Sequence, residues 1–600
     1  MSKAGKPPYD KRRDFDGQAR LILISSLAVA VGALSTVTAY ALLHAIHFFT
    51  NLFFFQKLST AFMSPAGHAL GAWVIGVPVI GGLIIGLLAR YGTEQIRGHG
   101  IPEAIEAILF KKSLMSPKVA VLKPLASAIA IGSGGPFGAE GPIIMTGGAV
   151  GSLLAQFFHL SAAERKTLLV AGAVAGMTAV FGTPVAALLL AVELLLFELR
   201  PRSLAPVAIA CVIAGFLRPL LIDSGPLFPL HSAALPPSAL LSCLIAGLLC
   251  GAMAWLLSTS LYRVEDLFHR LPVHWMWWPA IGGLAVGIGG YFQPRALGVG
   301  YDVIADLLNN HIAASALLAL LAVKAVIWLL ALGSGTSGGV LAPLLMLGAG
   351  LGALLGPYLP GNEPAIWPLV FMAATLGGMM RAPIMAVAFA FELTHDVNAL
   401  LPVMAASAVA YAFTVITMHR SILTEKIARR GYHIYREYGI DPMERHSVAE
   451  VMTPAPVCID AGARIADVLA SHFNAAQRHR AFPVTRDGAL VGMLDRPTLM
   501  RRMPSGGALT VGELFGVNMP VVALADETCR ALATRLAVHE LERLPVVSDA
   551  KTLRLIGIVS RSDLIKPALN LQAEEWQRQT VRRVWSPYRK AADAADAAQG

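Results

Sequence analysis

Residues 132–145 read GSGGPFGAEGPIIM, and residues 333–346 read GSGTSGGVLAPLLM. Aligned without gaps, Gly132, Ser133, Gly134, Gly138, Pro142 and Met145 meet Gly333, Ser334, Gly335, Gly339, Pro343 and Met346. The match runs on, with Gly147 meeting Gly348 and Gly151 meeting Gly352. A second pair follows, GMTAVFGTPVAALLLAVEL from Gly176 and LGGMMRAPIMAVAFAFEL from Leu376. Each carries a glutamate nine residues after a proline, Glu193 after Pro184 and Glu392 after Pro383. Close helix packing accounts for the glycines. It does not account for the shared proline, the shared spacing and the second motif. Two motifs repeating at offsets of 201 and 199 residues indicate duplicated halves. Paired hydrophobic segments interrupted by glycine and proline point to a transporter's substrate site.

The surroundings are those of a membrane protein. The chain is 55% hydrophobic and 14% charged, with a mean hydropathy of +0.61, too apolar for an ordinary soluble chain. Leu21 to Phe55 contains no Lys, Arg, Asp or Glu, which is long enough to span with tilt. Lys11 to Arg13 and Arg20 precede it, so residues 1–20 read as a cytoplasmic N-terminal segment. Apolar runs continue to about His419, and after Arg420 the charge density rises towards a soluble part. The net charge of +10 suits anionic lipid or an anionic cargo. No basic stripe with interleaved aromatics occurs, which argues against a nucleic-acid partner. Cys211, Cys243, Cys250, Cys458 and Cys529 show no metal-type spacing and read as small hydrophobes; no metal site is expected.

Backbone that leaves helical geometry at membrane depth must be buried or line a cavity. Each glycine-rich phrase therefore reads as a turn followed by a helix starting near Gly141-Pro142 or Ala342-Pro343. Helix starts expose unpaired N–H groups and a partial positive charge. Two of them facing each other would hold an anion without a full cation, loosely enough to release it. GHGIPEAIEAILF, from Gly98 to Phe110, is a third such turn, with Glu103 and Glu106 in the first turns of its helix. Only the first phrase carries a charge, Glu140. A carboxylate there competes with an anion for the same amides and withdraws when protonated, so Glu140 reads as a pH-sensitive gate.

These residues resemble the CLC family of chloride channels and chloride/proton exchangers. GHGIP (98–102), GAEGP (138–142) and GGVLAP (338–343) stand in the family's motif order, and Lys123 resembles the lysine kept before the gating loop. The resemblance implies an all-α polytopic membrane fold of two inverted-repeat halves with broken helices, spanning residues 21–431. It implies that Glu140 gates from outside, that His99 and amides around Gly100, Ile101, Gly141, Val340 and Leu341 hold chloride or a similar anion, and that the chain is a homodimer with one pore per subunit. His99 replaces the inner-gate serine, and its ring N–H remains a donor. Leu423, in SILTEKIARRG, takes the place of a tyrosine that contacts the central anion. The family's internal proton glutamate falls on Leu194, while the carboxylate sits one residue earlier at Glu193. One residue is about 100° around a helix, so Glu193 is only a candidate for the proton pathway. Channel-like or weakly proton-coupled transport is expected, with chloride/proton antiport through a relocated internal site as the alternative.

After a linker at 432–445, residues 446–505 and 506–570 repeat one pattern: helix, strand, helix, strand, strand, helix. The turn at Arg486-Asp487-Gly488 suits a hairpin. RLPVV meets AFPVT, and LIGIVSRSDLI meets LVGMLDRPTLM. The pair resembles soluble α/β CBS domains, here expected to be cytoplasmic and regulatory, which implies clefts for ATP, ADP or AMP. Ser560 and Asp563 would serve phosphate and ribose, whereas the first copy has Asp495 and Thr498 instead. Residues 571–600 read as a polar tail. A divalent-cation transporter with CBS domains is the rival of another class, but Glu140, Glu193, Glu198 and Glu392 are scattered rather than clustered. A membrane-anchored nucleotide sensor that moves nothing leaves the two broken-helix phrases unexplained. No nucleophile, base and metal set appears together, so no enzyme is expected and no cofactor is required.

Overall fold

The computed structural model describes residues 20–360, 365–434, 443, 446–474, 477, 479–502, 510–515 and 520–566. Residues 1–19, most of the linker and the polar tail lie outside the described residues. The chain divides into two compact units, one ending at Tyr432 and the other opening at His433.

The first unit is helical, and its halves run in the same order. The first half holds α1 (Arg20–Phe55), α2 (Gly76–Tyr91), α3 (Ile101–Phe110), α4 (Pro117–Gly132), α5 (Glu140–Gln156), α6 (Ala162–Phe181), α7 (Pro184–Leu190) and α8 (Pro201–Leu221). The second half holds α9 (Leu240–His269), α10 (Trp278–Phe292), α11 (Tyr301–Leu308), α12 (Ala314–Gly333), α13 (Leu341–Leu355), α14 (Trp367–Met380), α15 (Pro383–Thr394) and α16 (Leu400–Thr417). α17 (Ile422–Arg429) closes the unit. Among the described residues, seven helical stretches are long and apolar enough to cross a membrane.

Local chemistry sets the breaks. Ser161 and Glu164 form a reciprocal cap at the start of α6. The helix ends where Gly182 takes φ 72°, and Pro184 begins α7 at a position that needs no N–H. In the second half the matching αL residue is Arg381, at φ 55°. An arginine there costs more than a glycine, and its guanidinium is tied to the Thr414 carbonyl at 2.7 Å and to that of Met418.

The halves meet about an approximate two-fold. A Cβ on Gly82 would lie 2.4 Å from the Pro279 carbonyl oxygen, and one on Gly283 would lie 2.3 Å from that of Pro78. The contact of α2 with α10 is thus reciprocal, as a two-fold requires. The five cysteines are free thiols, buried except for the half-buried Cys458.

Among the described residues, the second unit contains two sheets. One is ordered β2 (Ile459–Asp460), β3 (Ala481–Arg486), β4 (Ala489–Asp495). The other is ordered β1 (Thr453–Pro454), β7 (Leu555–Ser560), β6 (Arg543–Val547), β5 (Ala523–Leu524). The hairpin between β3 and β4 turns through Asp487 and Gly488 at φ 54° and 79°, as its sequence requires. The two repeats exchange their leading segments. β1, from the first repeat, pairs with β7 of the second through Thr453↔Ile558 and Pro454↔Gly557. Val448 and Val451 lie in one core with Ala523, Leu532 and Leu544, while Val511 and Leu514 lie in the other with Ile459 and Val484. Each core thus draws residues from both repeats.

Candidate functional site

The two quoted phrases meet. Gly138 and Gly339 form an antiparallel bridge, with the Gly339 N–H donating to Gly138 O at 2.9 Å and the Gly138 N–H to Gly339 O at 3.3 Å. The loops before them cross over as well: Gly98 N–H donates to Gly335 O at 3.4 Å, and Gly298 N–H to Gly134 O at 3.0 Å. Ser127 Oγ and Ser337 Oγ are 2.8 Å apart. Each phrase of one half is thus fastened to a loop of the other.

A lysine holds each turn. Lys123 Nζ donates to the carbonyls of Ile96 at 2.9 Å and Gly98 at 2.7 Å. Lys324 Nζ donates to those of Ala296 at 3.0 Å and Gly298 at 2.9 Å. Both lysines are fully buried. GVGYD (298–302) is therefore the second-half counterpart of GHGIP. Sequence reasoning missed it and missed Lys324, although Gly98/Gly298, Gly100/Gly300 and Lys123/Lys324 recur at offsets of 200, 200 and 201 residues. The deeper divergence around those glycines hid the match.

Helices α5 and α13 start at Glu140 and Leu341, two residues before the prolines, which sit in the first turn where no N–H is needed. The Glu140 carboxylate is fully buried and accepts from the Ala342 amide through Oε1 at 3.1 Å. It rests against glycines: a Cβ on Gly138 would lie 1.8 Å from Oε2, and one on Gly339 would lie 2.6 Å away. Gly141, Ile101, Val340 and Leu341 are all buried beside it or on the facing helix starts. A Cβ on Gly141 would lie 1.8 Å from the His99 carbonyl oxygen, and one on Gly100 would lie 2.6 Å from that of Gly141, so the GHGIP turn and the gate loop touch through backbone.

Two of the candidate residues are engaged by the fold. The Gly100 amide donates to Glu103 Oε2 at 2.9 Å and is thereby committed to capping its own helix. The Glu193 carboxylate accepts from the amides of Ile384 and Met385, at 3.3 and 2.8 Å, at the start of α15. Its counterpart Glu392 accepts from Val185 and Ala186, at 2.9 and 2.7 Å, at the start of α7. Each glutamate caps the other half's helix. Glu193 thus stands in a structural exchange between halves, within a π-helical turn at Ala191–Leu196.

At the other end of the turn, the His99 ring is 2% exposed, and neither of its nitrogens has a hydrogen-bond partner among the described residues. Around it, Glu103 Oε1 pairs with Arg430 at 2.7 Å and with Lys426 at 3.6 Å. Glu106 pairs with Lys111 at 2.7 Å and also with Arg430. Leu423 is buried on α17, which packs against α3; Ser421 caps that helix, and Tyr262 donates to the Ile422 carbonyl.

In the second unit, Asp563 Oδ2 accepts from the Ser560 amide and hydroxyl, both at 2.7 Å, while Lys566 Nζ lies 2.6 Å from Oδ1. Burial pushes this carboxyl up, but Lys566 and Ser560 outweigh it and hold it below the usual carboxylate range. In the first repeat the polarity is reversed, with Asp495 Oδ1 accepting from the Thr498 amide at 2.8 Å.

The family profile for "Voltage gated chloride channel" matches residues 81–415, and the CBS domain profile matches residues 448–505 and 511–569. A Ralstonia nicotianae protein named chloride channel protein ClcB-like is 27% identical over 421 residues, which is 68% of this chain and 97% of that protein. The H(+)/Cl(-) exchange transporter ClcA of Salmonella arizonae is 27% identical over 407 residues, covering 64% of this chain and 83% of that one. The crystal structure of a slow cyanobacterial Cl-/H+ antiporter matches with a TM-score of 0.61 at 24% identity, over 69% of this chain and 98% of that chain, a likeness of fold. The family profile spans most of the helices that carry the crossed loops, so the chain belongs to the voltage-gated chloride channel family, the CLC proteins of chloride transport, and bears a CBS domain pair.

Proposed function

We propose that this protein carries chloride or a similar anion across a membrane through a path gated by Glu140. The supporting observation is the carboxylate seated on the Ala342 amide, in the place where a helix start would hold an anion. A carboxylate and a halide are alternative occupants of one set of dipoles, and protonation of the carboxyl removes its claim. Ile101, Gly141, Val340 and Leu341 supply the dipoles, His99 and Leu423 line the inner end, and Gly100 contributes through its turn rather than its amide.

Channel-like or weakly proton-coupled movement is the reading favoured here. Leu194 offers no proton acceptor, and Glu193 is engaged at the start of α15. Strict chloride/proton exchange is the rival, since relatives are named as exchangers. In proteoliposomes with a valinomycin shunt, Glu140→Gln is expected to carry chloride at a rate independent of pH. A pH response equal to the wild type's removes the gate. A chloride gradient is expected to drive little or no uphill proton movement, whereas stoichiometric uphill pumping establishes the exchanger.

The chain is read as a homodimer in a cell or inner membrane, with both termini cytoplasmic. Residues 21–431 form the anion unit, 432–445 the linker, and 446–505 and 506–570 the two CBS domains. The CBS pair is proposed to regulate transport by binding an adenine nucleotide at Ser560 and Asp563. A ribose has to displace the Lys566 and Ser560 contacts of Asp563. Asp563→Ala is expected to weaken ATP or AMP binding about tenfold or more, the loss of a hydrogen bond to a charged group. Calorimetry on the full chain tests this, and no binding by wild type makes the pair purely structural.

A further inference from the structure

We infer that Tyr301 is a positioning residue of the gate, its hydroxyl donating to Glu140 Oε2 and latching the carboxylate in its seat. This rests on the reading of Glu140 as the gate. Tyr301 opens α11, directly after Gly300 at φ 80°. Its turn is held from two sides, by Lys324 on the Gly298 carbonyl at 2.9 Å and by the Gly298 N–H on the Gly134 carbonyl at 3.0 Å. The turn is thereby bonded to the gate loop itself. The ring is wedged edge-on between Phe181 and Phe228, with centroids 6.1 and 6.2 Å away. The aromatic cage fixes where the hydroxyl points.

That hydroxyl is buried and has no hydrogen-bond partner among the described residues, and the same is true of Glu140 Oε2, the oxygen not used by Ala342. The two groups lie side by side. Buried polar atoms are rarely left unpaired, and here an unpaired donor and an unpaired acceptor are neighbours. An ionised carboxylate only accepts, and a phenol can donate to it. The seated, ionised gate would then hold two donors, one from each side of the second half: the Ala342 amide and the Tyr301 hydroxyl. An incoming anion has to displace both, and a protonated carboxyl loses the advantage of both.

Of the other titratable groups on packed elements, Asp302 follows Tyr301 on α11 and lies near Lys324. Lys123 and Lys324 hold carbonyls, and Glu103 holds the Gly100 amide with Lys426 and Arg430. Glu164 is paired with Arg20 at 2.7 Å at the far end of α6 and α1, near Arg165 and Lys166. His44 packs tilted against Tyr40 and His47 edge-on against Phe62, and the His99 carbonyl abuts Gly141.

The test is the pH profile of chloride flux in proteoliposomes. Tyr301→Phe keeps the ring and removes the donor. The expected result is a profile shifted towards higher pH by about one unit, the size of one charge-assisted hydrogen bond. On the Glu140→Gln background the same change should leave the flat profile unaltered. A Tyr301→Phe profile that overlays the wild type's, while Glu140→Gln still flattens it, overturns the latch and spares the gate. A Glu140→Gln profile that keeps the wild-type response overturns both. A shift by Tyr301→Phe that persists on the Glu140→Gln background overturns the latch, because the effect then bypasses the carboxylate. Where Tyr301→Phe fails to assemble, 3-fluorotyrosine at position 301 decides: a stronger donor should shift the profile towards lower pH, and no shift overturns the proposal.

Discussion

Gly141→Ala is expected to reduce halide flux at least about tenfold. The new Cβ would sit 1.8 Å from the His99 carbonyl oxygen and 3.3 Å from the Gly339 Cα. Overpacking costs about 1–3 kcal/mol where neighbouring side chains can shift, and about 1.4 kcal/mol is a factor of ten. Here the neighbours are backbone. His99 lies between Gly98 and Gly100, at φ 82° and 90°, and Lys123 pins the Gly98 carbonyl. The turn has no slack, so the clash forces apart the GHGIP turn and the gate loop, the two elements that meet at the proposed anion path. Gly67→Ala is the control: among the described residues, nothing lies within 4 Å of where its methyl group would stand, and flux should match the wild type. Efflux from proteoliposomes, normalised to inserted protein, is the measurement. Wild-type flux in Gly141→Ala would mean that the two turns do not need to touch.

The second large effect is expected from Lys324→Met. The ammonium satisfies the carbonyls of Ala296 and Gly298. Each buried acceptor left alone costs about 1–3 kcal/mol. Relief of the ammonium's own desolvation offsets part of that, because burying a charge is itself expensive. Breaking such an arrangement from one side is still strongly destabilising, and the thermal midpoint in detergent should fall by several degrees. Lys123→Met should fall by a similar amount, since it makes the mirror pair of contacts. The two variants should differ in transport. Lys123 holds the turn that carries His99, and Lys324 holds the turn that carries Tyr301. Fluorescence-detected size exclusion after heating measures the first effect, and wild-type midpoints in both variants would show that the turns stand without their lysines.

Reading the chain from its residues recovers the architecture where the signal is local. Gapless agreement of glycines, prolines and spacing marks the halves, and each phrase does break a helix where glycine permits it. The hairpin at Asp487-Gly488 is equally local, since both residues tolerate positive φ. The site is legible in part for the same reason: Glu140 is the one charge in an uncharged, breaker-rich phrase. A glycine beside a helix start exposes an amide in principle, and only the fold shows Glu103 reaching back to the Gly100 amide.

The sequence by itself determined the duplication, the broken helices, the membrane class and the position of the proposed gate carboxylate, because each follows from composition, spacing or backbone permissiveness over a few residues. Only the tertiary structure decided which half serves which. Glu193 lies nine residues after Pro184, yet it caps α15; Glu392 caps α7. The bridge of Gly138 with Gly339 and the exchanged leading segments of the CBS repeats are of the same kind. The physical reason is that a two-fold pairs each residue with its counterpart's neighbours. Separations of about 100 to 200 residues along the chain become hydrogen-bond distances only when both copies have folded.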